Sequence, residues 1–217
     1  PKAINRLYVA DFQNRTIRVL DNTWTDITAD VPFARPAGMR EDFSPFNIQL
    51  LGDRLYVAFA ALDANAEEAA TDLPAPGAGH VVAYNLDGHM VREFADAGRL
   101  NSPWGLAIAP ENFGPLSGSI LVGNFGDGTI AAFDPATGIF RDYLRDQSGK
   151  PAVIDGLWGL AFGNGVSLGD ADSLYFTAGT NAEQDGILGR LRHSETVQKN
   201  QAPKQQLWPA AIVVVTL

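Results

Sequence analysis

The chain is 217 residues long, 46% hydrophobic and 19% charged, a balance that suits a packed globular protein and excludes wholesale disorder. A formal net charge of −9 leaves no basic footprint with which to displace counterions from nucleic acid, and it disfavours anionic membrane surfaces. The absence of cysteine excludes disulfides and thiolate chemistry, and the longest apolar run, Ala210 to Val215, falls far short of the ~20 residues that span a bilayer.

Pro1 carries neither an initiator Met nor a basic and apolar leader, which reads as a processed or truncated start. Short segments rich in β-branched and aromatic residues, bounded by Gly, Asn, Asp or Pro, then mark strands along the chain. Leu7–Ala10 and Thr16–Leu20 come first. Pro45–Leu50, Leu55–Ala58, Val81–Tyr84 and Met90–Phe94 make a second set. An Ala- and Glu-rich insertion interrupts it at Leu62–Ala70, the one stretch with the composition of a helix, though a loop fits equally. Pro103–Ile108, Ile120–Gly123, Thr129–Phe133 and Phe140–Leu144 make a third set, and Leu157–Phe162 with Leu174–Thr177 opens a fourth whose end is poorly marked. Asn85–Gly88 and Asp134–Gly138 have the glycine placement of hairpin connectors.

The sets repeat one another. Pro45-Phe46-Asn47-Ile48, Pro103-Trp104-Gly105-Leu106 and Leu157-Trp158-Gly159-Leu160 are versions of one phrase, and each is followed by a Leu-Tyr-Val-Ala-like strand. Four antiparallel strands per repeat of about 50 residues predict an all-β fold of β-propeller type, built from four-stranded antiparallel blades. A β-sandwich would lack this second-order period, and a helical solenoid would need a 3.6-residue one. With strands lettered a to d from the inside of each blade, the chain reads b-c-d, a-b-c-d twice, then a-b-c. About four blades therefore occupy residues 1–191. Residues 192–209 read as a polar connector and residues 210–217 as a C-terminal strand. Two completions stay open: Ala211–Val215 supplies the missing first strand beside Leu7–Ala10 and closes a small ring, or the parent is larger, which is the favoured expectation.

Asn101-Ser102-Pro103-Trp104-Gly105-Leu106-Ala107 and Leu7-Tyr8-Val9-Ala10-Asp11 resemble the two halves of the NHL repeat. More narrowly, Leu121–Ile130, Pro103–Ala107 and Asp155–Gly165 resemble an uncharacterised family of exported bacterial six-bladed propellers, many with a C-terminal sorting signal. The resemblance covers Leu7 to Leu191 and implies a six-bladed parent and an extracellular or periplasmic location. The chain departs from the pattern after Leu191, where no sorting signal is found.

Several local motifs fail on context. Gly165-Val166-Ser167-Leu168-Gly169 matches a nucleophile elbow, but that motif requires a strand-to-helix turn, and here strands flank it on both sides. Ser148-Gly149-Lys150 lacks the upstream glycine and the Ser/Thr of a phosphate loop. His80 and His89 begin two strands of one hairpin, with His80 expected to face Glu93, too far apart to share an ion. Trp104 and Trp158 occupy equivalent inner-strand positions, where burial between blades is expected over exposure as stacking platforms. Asn14-Arg15-Thr16 is a glycosylation sequon.

Carboxylates and amides gather in the b–c and d–a loops, which share one face of a propeller. Asp11, Asn124, Asp155 and Asn181 are the candidate metal ligands, and Asn14, Asp127 and Asp185 extend the ligand face. Oxygen donors of this kind suit Ca²⁺, and lactonase-type propellers use Glu, Asn and Asp there. Turn chemistry is the competing explanation, because Asp and Asn cap their own backbone. No catalytic residue is assigned. The leading expectation is a non-enzymatic, exported binding or scaffold propeller that presents an acidic loop face to a protein or carbohydrate and requires no cofactor. The alternative is a metal-dependent, lactonase-type hydrolase using Ca²⁺ at the channel mouth.

Overall fold

The computed structural model describes residues 5–63, 65, 71–94 and 97–193. Among them the protein is all-β, with four antiparallel sheets of two, four, four and three strands. The chain divides into two compact units. One holds the residues up to Trp104 together with Ala136–Phe140; the other holds Gly105–Pro135 and the residues from Arg141 onward.

In the first unit β1 (Leu7–Asp11) and β2 (Thr16–Leu20) form a hairpin in which Leu7 opposes Leu20 and Asp11 opposes Thr16. β3 (Phe43–Leu51), β4 (Arg54–Ala61), β5 (Gly79–Tyr84) and β6 (Met90–Glu93) follow as a meander, each strand beside its neighbour in sequence. β4 is apolar at nearly every position because both of its faces are covered, and all of its residues after Arg54 are buried. β6, at the sheet's edge, is instead mostly exposed and carries Arg92 and Glu93, charges that discourage pairing with another chain. Ile17, Phe43, Val57, Phe59, Val82 and Tyr84 anchor the core between the two sheets.

β7 (Pro103–Ile108), β8 (Ile120–Asn124), β9 (Ile130–Phe133) and β10 (Phe140–Tyr143) form another four-stranded meander, which belongs to the second unit except for Pro103, Trp104 and Phe140. β11 (Leu157–Phe162), β12 (Ser173–Gly179) and β13 (Asp185–Arg192) form the last sheet. β8 and β9 are wholly buried, and Leu121, Ile130, Leu157, Leu160, Leu174 and Phe176 share one core. Gly123 permits this packing, since a Cβ there would come within 3.0 Å of Leu157 Cδ2.

The expected strands thus appear where the sequence places them, with four differences. The first sheet has two strands, not b-c-d: after Leu20 only a single bridge to Asp26 forms before a 3-10 turn at Thr28–Asp30. The poorly marked end of the fourth set is an eight-residue strand, β13, running through to Arg192, whose guanidinium reaches Ser173 and Asp170. On the β6 side, a register shift between Ala83 and Tyr84 sets Tyr84 opposite Met90, and Val82 rather than His80 opposes Glu93; His80 Nδ1 nonetheless lies 3.5 Å from Glu93. Thr180–Glu183 winds as one helical turn, but Asn181 and Ala182 have φ of 55° and 52°, which is left-handed. Most of Leu62–Ala70 and all of Ala211–Val215 lie outside the described residues; at the start of the former, Leu62 bridges Asp72 and Asp63 N donates to Thr71 O.

A glycine at positive φ leads into β11 and ties it to β12. Gly156 has φ +64°, receives a hydrogen bond from Gly179 N at 2.9 Å, and would place a Cβ 2.0 Å from Gly179 O. Gly149 has φ +80° with nothing near its Cβ position. Both substitutions by alanine cost the left-handed strain, about 1 kcal/mol, but only Gly156→Ala adds a backbone clash worth about 1–3 kcal/mol more. Urea midpoints should therefore fall much further for Gly156→Ala than for Gly149→Ala.

Candidate functional site

The candidate residues of the second unit lie along one edge of its two sheets. The β8–β9 connection, Asn124 to Thr129, meets the segment leading into β11 through Ile154 N, which donates to Gly128 O at 2.9 Å. That segment meets the β12–β13 connection through the Gly179–Gly156 bond. Asp127, Asp155, Asn181 and Asp185 are exposed along this edge, and Asn124 is fully buried behind it.

Most of these polar groups stabilise the turns they sit in. Asn124 Nδ2 donates to Thr129 Oγ1 at 3.0 Å, and that hydroxyl donates to Asp127 Oδ1 at 2.6 Å. Asp127 Oδ1 also accepts the Thr129 backbone N–H. Asn181 Nδ2 donates to Asp185 Oδ2 at 3.3 Å. In the first unit, Asn14 donates to Asp11 three times, from its backbone N–H and from Nδ2 to both carboxylate oxygens. These bonds hold the Asp11 carboxyl below the ordinary Asp range. The structure thus brings together Asp11 with Asn14, Asn124 with Asp127, and Asn181 with Asp185. Among the described residues no three His, Cys, Asp or Glu side chains gather into a group fit to hold a metal ion. Nor does a described helix have the length and apolarity to cross a membrane.

The Gly165–Gly169 loop is closed by Asn164, whose Oδ1 accepts the N–H groups of Val166, Ser167 and Leu168, between strands β11 and β12. It has no nucleophile-elbow geometry. The tryptophans behave less uniformly than their repeat predicts. Trp104 is half-buried and packs edge-on against Phe46, centroids 4.7 Å apart, while its carbonyl accepts from Asn47 Nδ2. Trp158 is 44% exposed, which corrects the expectation of burial. Trp104 is covered by the Phe46 ring, whereas Trp158 stands exposed beside a register shift between Leu157 and Leu160.

One residue of interest escaped the sequence reading. Asp21-Asn22-Thr23-Trp24-Thr25 folds into the same turn as Asn85-Leu86-Asp87-Gly88-His89 and Asp146-Gln147-Ser148-Gly149-Lys150. In each, the first side-chain oxygen accepts the N–H groups of the third and fifth residues, and the fourth residue is left-handed. Glycine fills that position twice; Trp24 fills it once, at φ +65° and 73% exposed. Aligning the three turns by their leading Asp or Asn would have found it.

No family model matches the chain. It is 38% identical over 198 residues to one uncharacterized protein of Acanthamoeba polyphaga mimivirus, covering 90% of this chain and 51% of that protein. It is 36% identical over 196 residues to a second from the same virus, covering 88% of this chain and 46% of that one. The chain thus spans about half the length of the curated relatives it matches. Among solved structures it is similar to a Bacteroides uniformis protein provisionally assigned as a 6-phosphogluconolactonase, at 12% identity and a TM-score of 0.40, covering 88% of this chain and 65% of that one.

The turn carboxylates make stability depend on acid. Hydrogen bonds lower the Asp11, Asp21 and Asp146 carboxyls in the folded chain, from Asn14, Thr23 and Ser148 respectively. The unfolded chain therefore takes up protons first as pH falls through about 4, so stability present above that pH is lost below it. Melting temperature should drop between pH 5 and pH 2 on the order of the usual Asp range. Asp146→Asn should flatten the drop while keeping the turn, because Asn85 closes the sister turn with an amide. An unchanged acid limb in that variant would refute the assignment.

Proposed function

We propose that the sheets are blades of a β-propeller and that the chain is a binding scaffold, non-enzymatic and exported, that offers its acidic loop edge to a carbohydrate or protein. The propeller reading rests on the repeated meander, on bulges at the matching places in β3 and β11, and on the resemblance to exported propellers. The binding reading rests chiefly on Trp158. This indole stands exposed at the start of β11, three residues beyond Asp155 on the edge that also carries Asp127, Asn181 and Asp185. An exposed aromatic face offers stacking to the apolar face of a sugar ring or to a side chain, and neighbouring carboxylates accept hydrogen bonds from hydroxyl or amide groups.

The hydrolase alternative requires several oxygens turned toward one cation. Turn bonds already use the Asp11, Asp127 and Asn181 side chains, so the binding reading needs no rearrangement of them.

A glycan array probed with the whole chain tests the proposal, with Trp158→Ala as the control. Binding to one glycan class that is lost in the variant is expected, while the half-exposed site should leave the variant folded. Ca²⁺-dependent opening of lactones by the native chain, or glycan binding unchanged in Trp158→Ala, would overturn it.

A further inference from the structure

A second site lies in the first unit and does not depend on the acidic edge. A cavity of ≈ 240 Å³ opens between the β1–β2 hairpin and the β3–β6 sheet. Arg15, Thr16, Thr28, Phe33, Arg35 and Phe59 are among its lining residues, and among the described residues no Asp or Glu lines it. In a chain of net charge −9, a cavity walled by two arginines and no described carboxylate stands against the general field of the protein.

The repeat shows that Arg15 is held there at a cost. Asp11-Phe12-Gln13-Asn14-Arg15-Thr16 and Asn124-Phe125-Gly126-Asp127-Gly128-Thr129 are the same strand connection, β1 to β2 in one sheet and β8 to β9 in the other. In both, the residue before the Thr is left-handed: Gly128 at φ +73° and Arg15 at φ +56°. A non-glycine residue in that region is strained, by about 1–3 kcal/mol. At Gly128 a side chain is impossible, because a Cβ would lie 2.3 Å from Ile154 O. Arg15 instead is exposed at the cavity's lining, with a long bond from its Nη1 to Glu41 O at 3.5 Å.

Arg35 is fixed from the other side. Its Nη1 donates to Phe43 O at 2.8 Å and its Nη2 to Arg40 O at 2.6 Å, which leaves three of the five guanidinium N–H donors. The segment before it is pinned as well. Phe33 packs edge-on against Tyr8 and Tyr84, and Tyr84 Oη donates to Ala34 O at 2.9 Å. Donors held in place before a ligand arrives lose little entropy on binding it.

From these observations we infer that the Arg15–Arg35 cavity is a binding site for a small oxyanion, a carboxylate or a phosphate. Guanidinium groups match the planar, paired oxygens of either group. The cavity is smaller than the roughly 300–1,000 Å³ of sites for drug-sized ligands, which limits the occupant to an anion bearing a small organic group. Phe33 and Phe59 supply apolar wall for that group.

Isothermal titration of the whole chain with sodium phosphate and, separately, sodium acetate, each at an ionic strength matched with NaCl, tests the site and tells the two anions apart. Saturable binding of at least one is expected, weakened fivefold or more in Arg15→Gly, which restores the residue the sister turn uses. Arg15→Asn, which also tolerates a left-handed backbone, should weaken binding to the same degree without relying on glycine. No saturable binding by the native chain, or less than a fivefold change in both variants, would overturn the inference. A thermal stabilisation by phosphate of equal size in native chain and variants would mark general salt exclusion and would likewise count against it.

Discussion

A chain built only of antiparallel meanders must reverse direction after every short strand, and the backbone of these reversals repeatedly demands one left-handed residue. The rest of the structure depends on how that demand is met. In the turns led by Asn85 and Asp146 a side-chain oxygen closes the loop and glycine takes the left-handed place, so the strands on either side enter the sheet in fixed register. Register in turn decides which residues are buried, since a slip of one position moves every side chain to the other face. The buried runs of β4, β8 and β9 show how completely that choice is fixed.

The same constraint separates structural residues from candidates for function. Where glycine occupies a left-handed position, the sequence has taken the conformation at least cost. Trp24 and Arg15 occupy positions that glycine takes in their sister turns, one displaying an indole to solvent and the other lining a cavity. Strain of this kind persists only where the surrounding structure holds it, and it points to what the side chain does. The acidic residues of the loops are the opposite case. Asp11 and Asp127 belong to the ligand set expected from the sequence, yet each accepts hydrogen bonds from within its own turn, as Asp21 and Asp146 do in theirs. Their chemistry is first that of folding. Along the edge near Trp158 the exposed carboxylates are those of Asp127, Asp155 and Asp185.

Much of the fold was legible because its signals are local. Pro103–Ile108, Leu157–Phe162 and Thr16–Leu20 are strands with the very bounds that their β-branched and aromatic runs suggest. β13 was harder to see because Gly186 and Gly189 break its apolar run and Arg190 and Arg192 alternate through it; only pairing with β12 makes it a strand. The fate of Trp158 was not legible at all. It shares its phrase with Trp104, but the ring that covers Trp104 comes from Phe46, a contact between residues 58 positions apart that the phrase itself does not encode. The candidate site was legible in its residue types and not in its bonding. Asp and Asn serve equally as turn caps and as ligands, and only the positions of their neighbours separate the two roles.

The cost of holding Trp24 in the left-handed place of its turn is open to direct measurement in Trp24→Gly. The substitution removes strain of about 1–2 kcal/mol and adds backbone freedom to the unfolded chain that offsets about 0.5–1 kcal/mol of it. Equilibrium urea unfolding of the whole chain should therefore show a midpoint equal to or higher than that of the native protein. A lower midpoint would mean that the indole stabilises the fold, and would contradict the claim that Trp24 is there for something other than folding.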